Sequence, residues 1–132
     1  MDKFLKNWNG KTIEDCGCYT SEEWKSFARA FKNAIKRECE KLGYSIVGKD
    51  SFSSKNHYFI SGFISKDGQT YYISYDYDRY NPVSLLKQSW AGPILWRRTA
   101  DEKDYRGENN HFTIATELFF QIESDYERRT AA

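Results

Sequence analysis

The chain has only two prolines, one methionine and three cysteines in 132 residues. It has no apolar run of the roughly 18 residues that a membrane-spanning helix needs. Its opening, MDKFLKNWNGK, is charged and lacks an apolar h-region, so no secretory leader is expected. Cys16, Cys18 and Cys39 are odd in number, and one residue between the first two is an awkward spacing for a mutual disulfide. The expectation is a soluble, cytoplasmic chain with reduced thiols. An excess of one charge is missing too: 20 basic and 19 acidic residues leave +1, too little for a global field toward nucleic acid or membrane. The balance is uneven, with residues 1–100 carrying +5 and residues 101–132 carrying −4.

Catalytic signatures are absent as well. The sequence contains no Gly-x-Ser-x-Gly, Walker loop, His-Glu-x-x-His or Cys–His pattern. Cys16, Cys18, Cys39, His57 and His111 show none of the paired spacings of a zinc finger or ribbon, so neither a metal nor another cofactor is expected. Asp76, Asp78, Asp101, Glu102, Asp104, His57 and His111 are the material for a metal-assisted nuclease or hydrolase. However, Asp76 and Asp78 close a strand, where acids need no special account. The chain reads as a non-enzymatic protein.

Aromatic residues are plentiful, at 17% with ten tyrosines, in a chain whose mean hydropathy is −0.81. Rings supply the burial that charge-rich disordered segments lack, so a folded domain is expected. Length suits one domain over 1–132, with an irregular lead-in at 1–19 that includes a short helical turn near Phe4 to Trp8.

Residues 20–43 are the clearest element. Thr20 and Glu23 have capping-box spacing, and Trp24, Phe27, Ala28, Phe31, Ile35, Cys39 and Leu42 make one apolar stripe. Gly43 follows as a C-terminal cap. Strands are expected at 44–48, 57–65, 69–77 and 93–98. Asp67-Gly68 turns the second into the third. In the third, Tyr71, Ile73, Tyr75 and Tyr77 share a face, and Thr70, Tyr72, Ser74, Asp76 and Asp78 share the other, read as solvated. Residues 83–92 stay open between a helical turn and a loop. Ile114, Leu118, Phe119, Ile122 and Tyr126 mark a second helix, capped by Thr113. The expected fold is α+β, a three- to four-stranded antiparallel sheet with two helices on one face.

Two surfaces stand out for binding. Lys25, Arg29, Lys32 and Lys36 fall in a narrow arc of the first helix, roughly 120° from the centre of its apolar stripe. Such a stripe can track phosphates, as in double-stranded-RNA-binding modules, whose element order this chain approximates. The basic cluster that those modules carry at the start of their last helix is replaced here by TIATELFF, so a solvated face is the plainer reading. The other surface is the connection at 99–112, long against the usual 4–6 residues between elements. With the end of the strand before it, it offers Arg97, Arg98, Asp104, Tyr105, Arg106, Asn109 and Asn110, residue types of adaptable contact surfaces. Tyr75, Asp76, Tyr77 and Asp78 are expected beside it.

TSEEWKSFARAFKNAIKRECEKLGYSIVG, HYFISGF and above all ILWRRTADEKDYRGENNHFT resemble a family of small proteins encoded on conjugative and phage-like mobile elements of Firmicutes. The resemblance covers residues 12–122. Arg98-Thr99-Ala100, Asp104-Tyr105, Gly107, Asn110 and Phe112-Thr113 match its pattern, while Glu108 stands where a second glycine is usual. The resemblance implies anti-defence work in the cytoplasm of a bacterial host. Its expected form is an anti-CRISPR inhibitor that binds an effector, Cas9 foremost and free or guide-loaded, and blocks DNA loading or cleavage. The alternative is a nucleic-acid-binding accessory protein of element transfer.

Overall fold

A computed structural model describes residues 1–8, 22–54, 58–77, 86, 92–104 and 109–131. Helices α1 (Asp2–Trp8) and α2 (Glu22–Leu42) precede strands β1 (Ser45–Val47), β2 (Phe59–Lys66), β3 (Gln69–Asp76), β4 (Ile94–Thr99) and β5 (His111–Thr113). Helix α3 (Leu118–Thr130) closes the order. The α+β class is as expected, but among the described residues there are five strands and three helices. The strands form one antiparallel meander in the order β1-β2-β3-β4-β5.

Two sequence signals act as read. The apolar stripe of α2 buries Trp24, Phe27, Ala28, Phe31, Ile35 and Cys39, and Gly43 and Tyr44 both donate to the Cys39 carbonyl to end the helix. At the hairpin tip Asp67 and Gly68 both have positive φ, 48° and 79°, as a two-residue turn matched to strand twist requires. Pairing then runs from Lys66 opposite Gln69 to Phe59 opposite Asp76.

The differences have local causes. The short helical turn expected near Phe4 to Trp8 within the lead-in is a full helix from residue 2, because Phe4 docks between Phe27 and Phe31, with ring centroids 5.7 and 6.0 Å away. Packing of one ring supplies what so short a helix lacks by itself. The fifth strand is a tertiary product: Thr113, Phe112 and His111 pair with Ile94, Leu95 and Trp96, and His111 stacks on Trp96 at 4.3 Å. Thr113 is therefore a buried strand residue rather than a helix cap. The helix begins at Leu118 behind Glu117, which makes no side-chain capping bond, and Ile114 is left exposed. Thr20 and, apart from buried Leu86, residues 83–91 lie outside the described residues.

Beyond β1 the chain keeps company with β2. Phe52 N–H donates to the Ser61 carbonyl at 2.7 Å, and Ser54 bridges Ile60. Trp24 Nε1 on α2 donates to Ser54 Oγ at 2.8 Å. Phe52 sits over Gly62 so closely that a Cβ there would stand 2.8 Å from the Phe52 nitrogen and 2.9 Å from its ring. Glycine is what lets the two backbones approach.

Register sorts the sheet into two faces. Ile60, Ile64, Tyr71, Ile73, Tyr75, Ile94 and Trp96 meet residues of all three helices in one core. Ser61, Phe63, Thr70, Tyr72, Ser74, Arg97 and Thr99 occupy the other face. That second face was expected to be solvated, and the structure corrects this. Thr70, Tyr72 and Ser74 are each 7% exposed, and among the described residues of that set only Asp76 emerges. The middle strand of five is flanked on both sides, and Tyr72 lies between the Phe63 ring, 5.2 Å away, and the Arg97 guanidinium, 4.3 Å from its centroid. Cross-strand neighbours of that size shade the small residues between them.

Candidate partner-binding surface

Strand β4 sends its two arginines to opposite sides of the sheet, because successive side chains alternate. Arg98 faces the helical side and donates from Nε to Gln69 Oε1 at 3.0 Å. Arg97 lies on the second face, stacked on Tyr72, with Nη1 donating to Asn110 Oδ1 at 3.2 Å. It is 7% exposed, and its Nε has no acceptor. Among the described residues no carboxylate comes within ion-pair distance of it. A buried guanidinium without an anion is costly, and cation–π contact and one amide offset only part of that cost.

Leu95 and Phe112 pair across β4 and β5 on the same face as Arg97, and Phe112 is 57% exposed. The turn after β4 is ordered by its own acids. Ala100 N–H donates to Asp104 Oδ2 at 2.9 Å, and Lys103 N–H donates to Asp101 Oδ1 at 2.8 Å. Thr99 Oγ1 reaches the Asp101 carbonyl at 3.2 Å. Asp104 thus works as a turn-forming acid, and Asn109 is exposed close to the start of β5.

The expected site is brought together in part. Arg97, Asp104 and Asn109 belong to β4 and the connection after it. Arg98 is on the other side of the sheet. Tyr75 and Tyr77, expected at the surface, are 0% and 3% exposed: Tyr75 packs 4.9 Å from Phe27, and Tyr77 lies 5.8 Å from Tyr58. Alternation turns both rings toward the helices, which removes them from any contact surface. Among the described residues of that group Asp76 alone is exposed. Tyr105, Arg106 and Asp78 lie outside the described residues.

Asn110, expected in the loop, accepts from Arg97, while Tyr72 and Phe112 complete the surface and were not among the expected contacts. Their signal is cross-strand register, which places Tyr72 opposite Arg97 and Phe112 opposite Leu95. No spacing within one strand reveals it.

Lys25, Arg29, Lys32 and Lys36 are all exposed along α2, and Lys25 has Glu22 at 3.9 Å. Among the described residues no group of three or more His, Cys, Asp or Glu side chains is placed to hold a metal ion. Cys39 is core: burial first, then Glu38 and Glu40, push its thiol up to about 12. Cys16, Cys18 and His57 lie outside the described residues. No helix among the described residues is long and apolar enough to cross a membrane. No family model, curated protein or solved structure matches the chain.

Proposed function

We propose that this chain is a non-enzymatic anti-defence protein of a mobile element. In this reading it binds a CRISPR effector, Cas9 foremost, and blocks DNA loading or cleavage by occupying the effector's surface. The observation that carries the binding role is Arg97: a buried guanidinium with no carboxylate partner among the described residues, held on Tyr72 and Asn110 beside exposed Phe112. A carboxylate of the effector, or a guide phosphate, supplies the missing anion, and Arg is the side chain suited to take either. Phe112 adds the apolar anchor that contact centres favour. Asp76 and Asp104 put negative charge near the same strands, where it imitates DNA phosphates against a basic nucleic-acid channel. The choice of effector rests on the resemblance carried by residues 94–113.

The test is co-elution of the purified chain with guide-loaded effectors, followed by target cleavage. The expected result is a complex and protected DNA, both lost with Arg97→Met and Phe112→Ser. Unimpaired cleavage by every effector at molar excess of the chain sinks the reading.

The second reading, a nucleic-acid-binding accessory protein, is favoured by the four exposed cations along α2. It predicts affinity that falls steeply with salt. A mobility shift unchanged by joint Lys25→Ala, Lys32→Ala and Lys36→Ala substitution counts against it.

A further inference from the structure

On the helical side, away from Arg97, α1, α2, α3 and the turn at Ala115 and Thr116 line a groove of about 600 Å³. Its floor is apolar, built from Leu5, Leu42 and Phe119, and Phe120 stands at its lip 71% exposed. Phe120 is the most exposed large hydrophobic residue described, and it adjoins other apolar surface rather than standing singly. The rim is acidic: Asp2, Glu38, Glu123 and Glu127 line the groove, and no Lys or Arg does. Two of the four are neutralised. Glu38 Oε1 lies 2.9 Å from the Met1 amine, and Glu123 Oε1 lies 3.5 Å from Lys66 Nζ. Asp2 and Glu127 are exposed, and among the described residues neither has a cationic partner.

We propose that this groove docks a basic amphipathic helix of a partner protein. The apolar face of that helix lies on Leu5, Phe119 and Phe120, and its Lys or Arg residues meet Asp2 and Glu127. Charge complementarity selects the partner's sign. The walls select its conformation: they are three helices and the turn at Ala115 and Thr116, with no strand among them to pair with an extended peptide. An incoming helix arrives with its backbone hydrogen bonds already made. A second copy of this chain fits poorly, because a two-fold contact through the groove sets Asp2 and Glu127 against their own equivalents. An anionic bilayer is repelled by the same acids. The inference is independent of the Arg97 surface, which lies across the sheet.

Fluorescence anisotropy with labelled synthetic helices tests it. The probes are a Leu/Lys amphipathic peptide, a Leu/Glu counterpart and a Ser/Lys peptide of equal positive charge. Binding is expected for Leu/Lys alone. Phe120→Ser and Glu127→Lys should each weaken it about tenfold, a ratio equivalent to ~1.4 kcal/mol. Joint Asp2→Lys and Glu127→Lys should transfer binding to the Leu/Glu peptide. Arg97→Met and Lys32→Glu should leave it unchanged, and the thermal midpoint of Phe120→Ser should match the parent, since the ring is exposed. Absence of Leu/Lys binding, equal binding of Ser/Lys, or indifference to Phe120→Ser and Glu127→Lys overturns the proposal. Concentration-dependent dimerisation abolished by Phe120→Ser also overturns it, by assigning the groove to a second copy.

Discussion

The two faces of the sheet are made by the same strands and are nearly equally buried, yet they are built from different chemistry. On the helical face Tyr71, Ile73 and Tyr75 are each 0% exposed under Trp24, Phe27, Phe31 and Tyr44. On the other face Thr70, Tyr72 and Ser74 are 7% exposed, with Arg97 stacked over Tyr72. The first is a ring-packed core whose stability comes from apolar area removed from water. The second buries hydroxyls and a charge, which contribute only as far as their hydrogen bonds are made. Some are: Thr99 Oγ1 donates to the Thr70 carbonyl at 3.4 Å, and Phe63 N–H donates to Ser51 Oγ at 3.2 Å. Arg97 Nε is not. Depth of burial therefore does not separate the two faces; the kind of group buried does, rings and aliphatic side chains on one and small hydroxyls with a guanidinium on the other.

The sharpest way to break this comparison is to truncate one residue on each side. Phe27→Ala should cost about 3–5 kcal/mol, as for large aromatic truncations in packed cores. Ser74→Ala should stay within about 1 kcal/mol. Urea unfolding at neutral pH measures both, and equal losses would erase the distinction.

Next in size is the polar anchor of the helical side. Asp125 on α3 accepts from the Tyr71 hydroxyl at 2.7 Å, Arg128 Nη2 at 2.6 Å and Arg129 Nε at 2.7 Å. Burial alone would raise its pKa. The bonds from Tyr71 and Arg129, with the charges of Arg129 and Arg128, outweigh that and hold the carboxyl below its ordinary value. Asp125→Asn should cost about 1–3 kcal/mol at neutral pH. A lowered folded-state pKa gives stability that is present above the unfolded value of about 3.9 and is lost as pH falls through the folded value. The gap between parent and variant midpoints should therefore shrink below about pH 4. A gap that widens in acid would contradict the ion-pair account.

Arg97→Met tests the other face with a smaller stability effect. It keeps a long apolar stem on Tyr72 and removes a buried charge without an anion. Stability should be unchanged or rise by up to about 1 kcal/mol while effector binding is lost. A loss of several kcal/mol would make Arg97 a structural residue.

The smallest effect is on reactivity alone. The Cys39 thiol should resist alkylation until the chain unfolds, because burial, Glu38 and Glu40 disfavour the thiolate. Mass spectrometry of trapped thiols with and without denaturant reads this directly. Rapid native labelling at Cys39 would mean that the helical core opens easily.

What was legible in the sequence was local. The stripe on α2 and the Asp67-Gly68 turn are short-range patterns with one low-energy answer, and the structure keeps both. Strand β5 and helix α1 were not legible as full elements. Three residues pair as a strand only because Ile94, Leu95 and Trp96 lie opposite, and seven form a helix because Phe4 finds Phe27 and Phe31. The candidate site was legible in half. Arg97, Asp104, Asn109 and Asn110 could be named from composition and loop length, but Tyr72 and Phe112 could not, since their place depends on neighbouring strands. Alternation along β3 put Tyr75 and Tyr77 on the apolar face, which takes them off the contact surface.

By itself, the sequence determined an aromatic-rich α+β chain of near-neutral charge with one strongly amphipathic helix and one tight hairpin. These follow from periodicity, turn chemistry and charge count, which act over a few residues. Only the tertiary structure decided that the sheet's second face is buried, that Arg97 is enclosed with no anion among the described residues while Arg98 pairs with Gln69, and that three helices leave an acid-rimmed groove. Those outcomes depend on which distant side chains meet, and that is set by strand register and helix docking rather than by any local pattern.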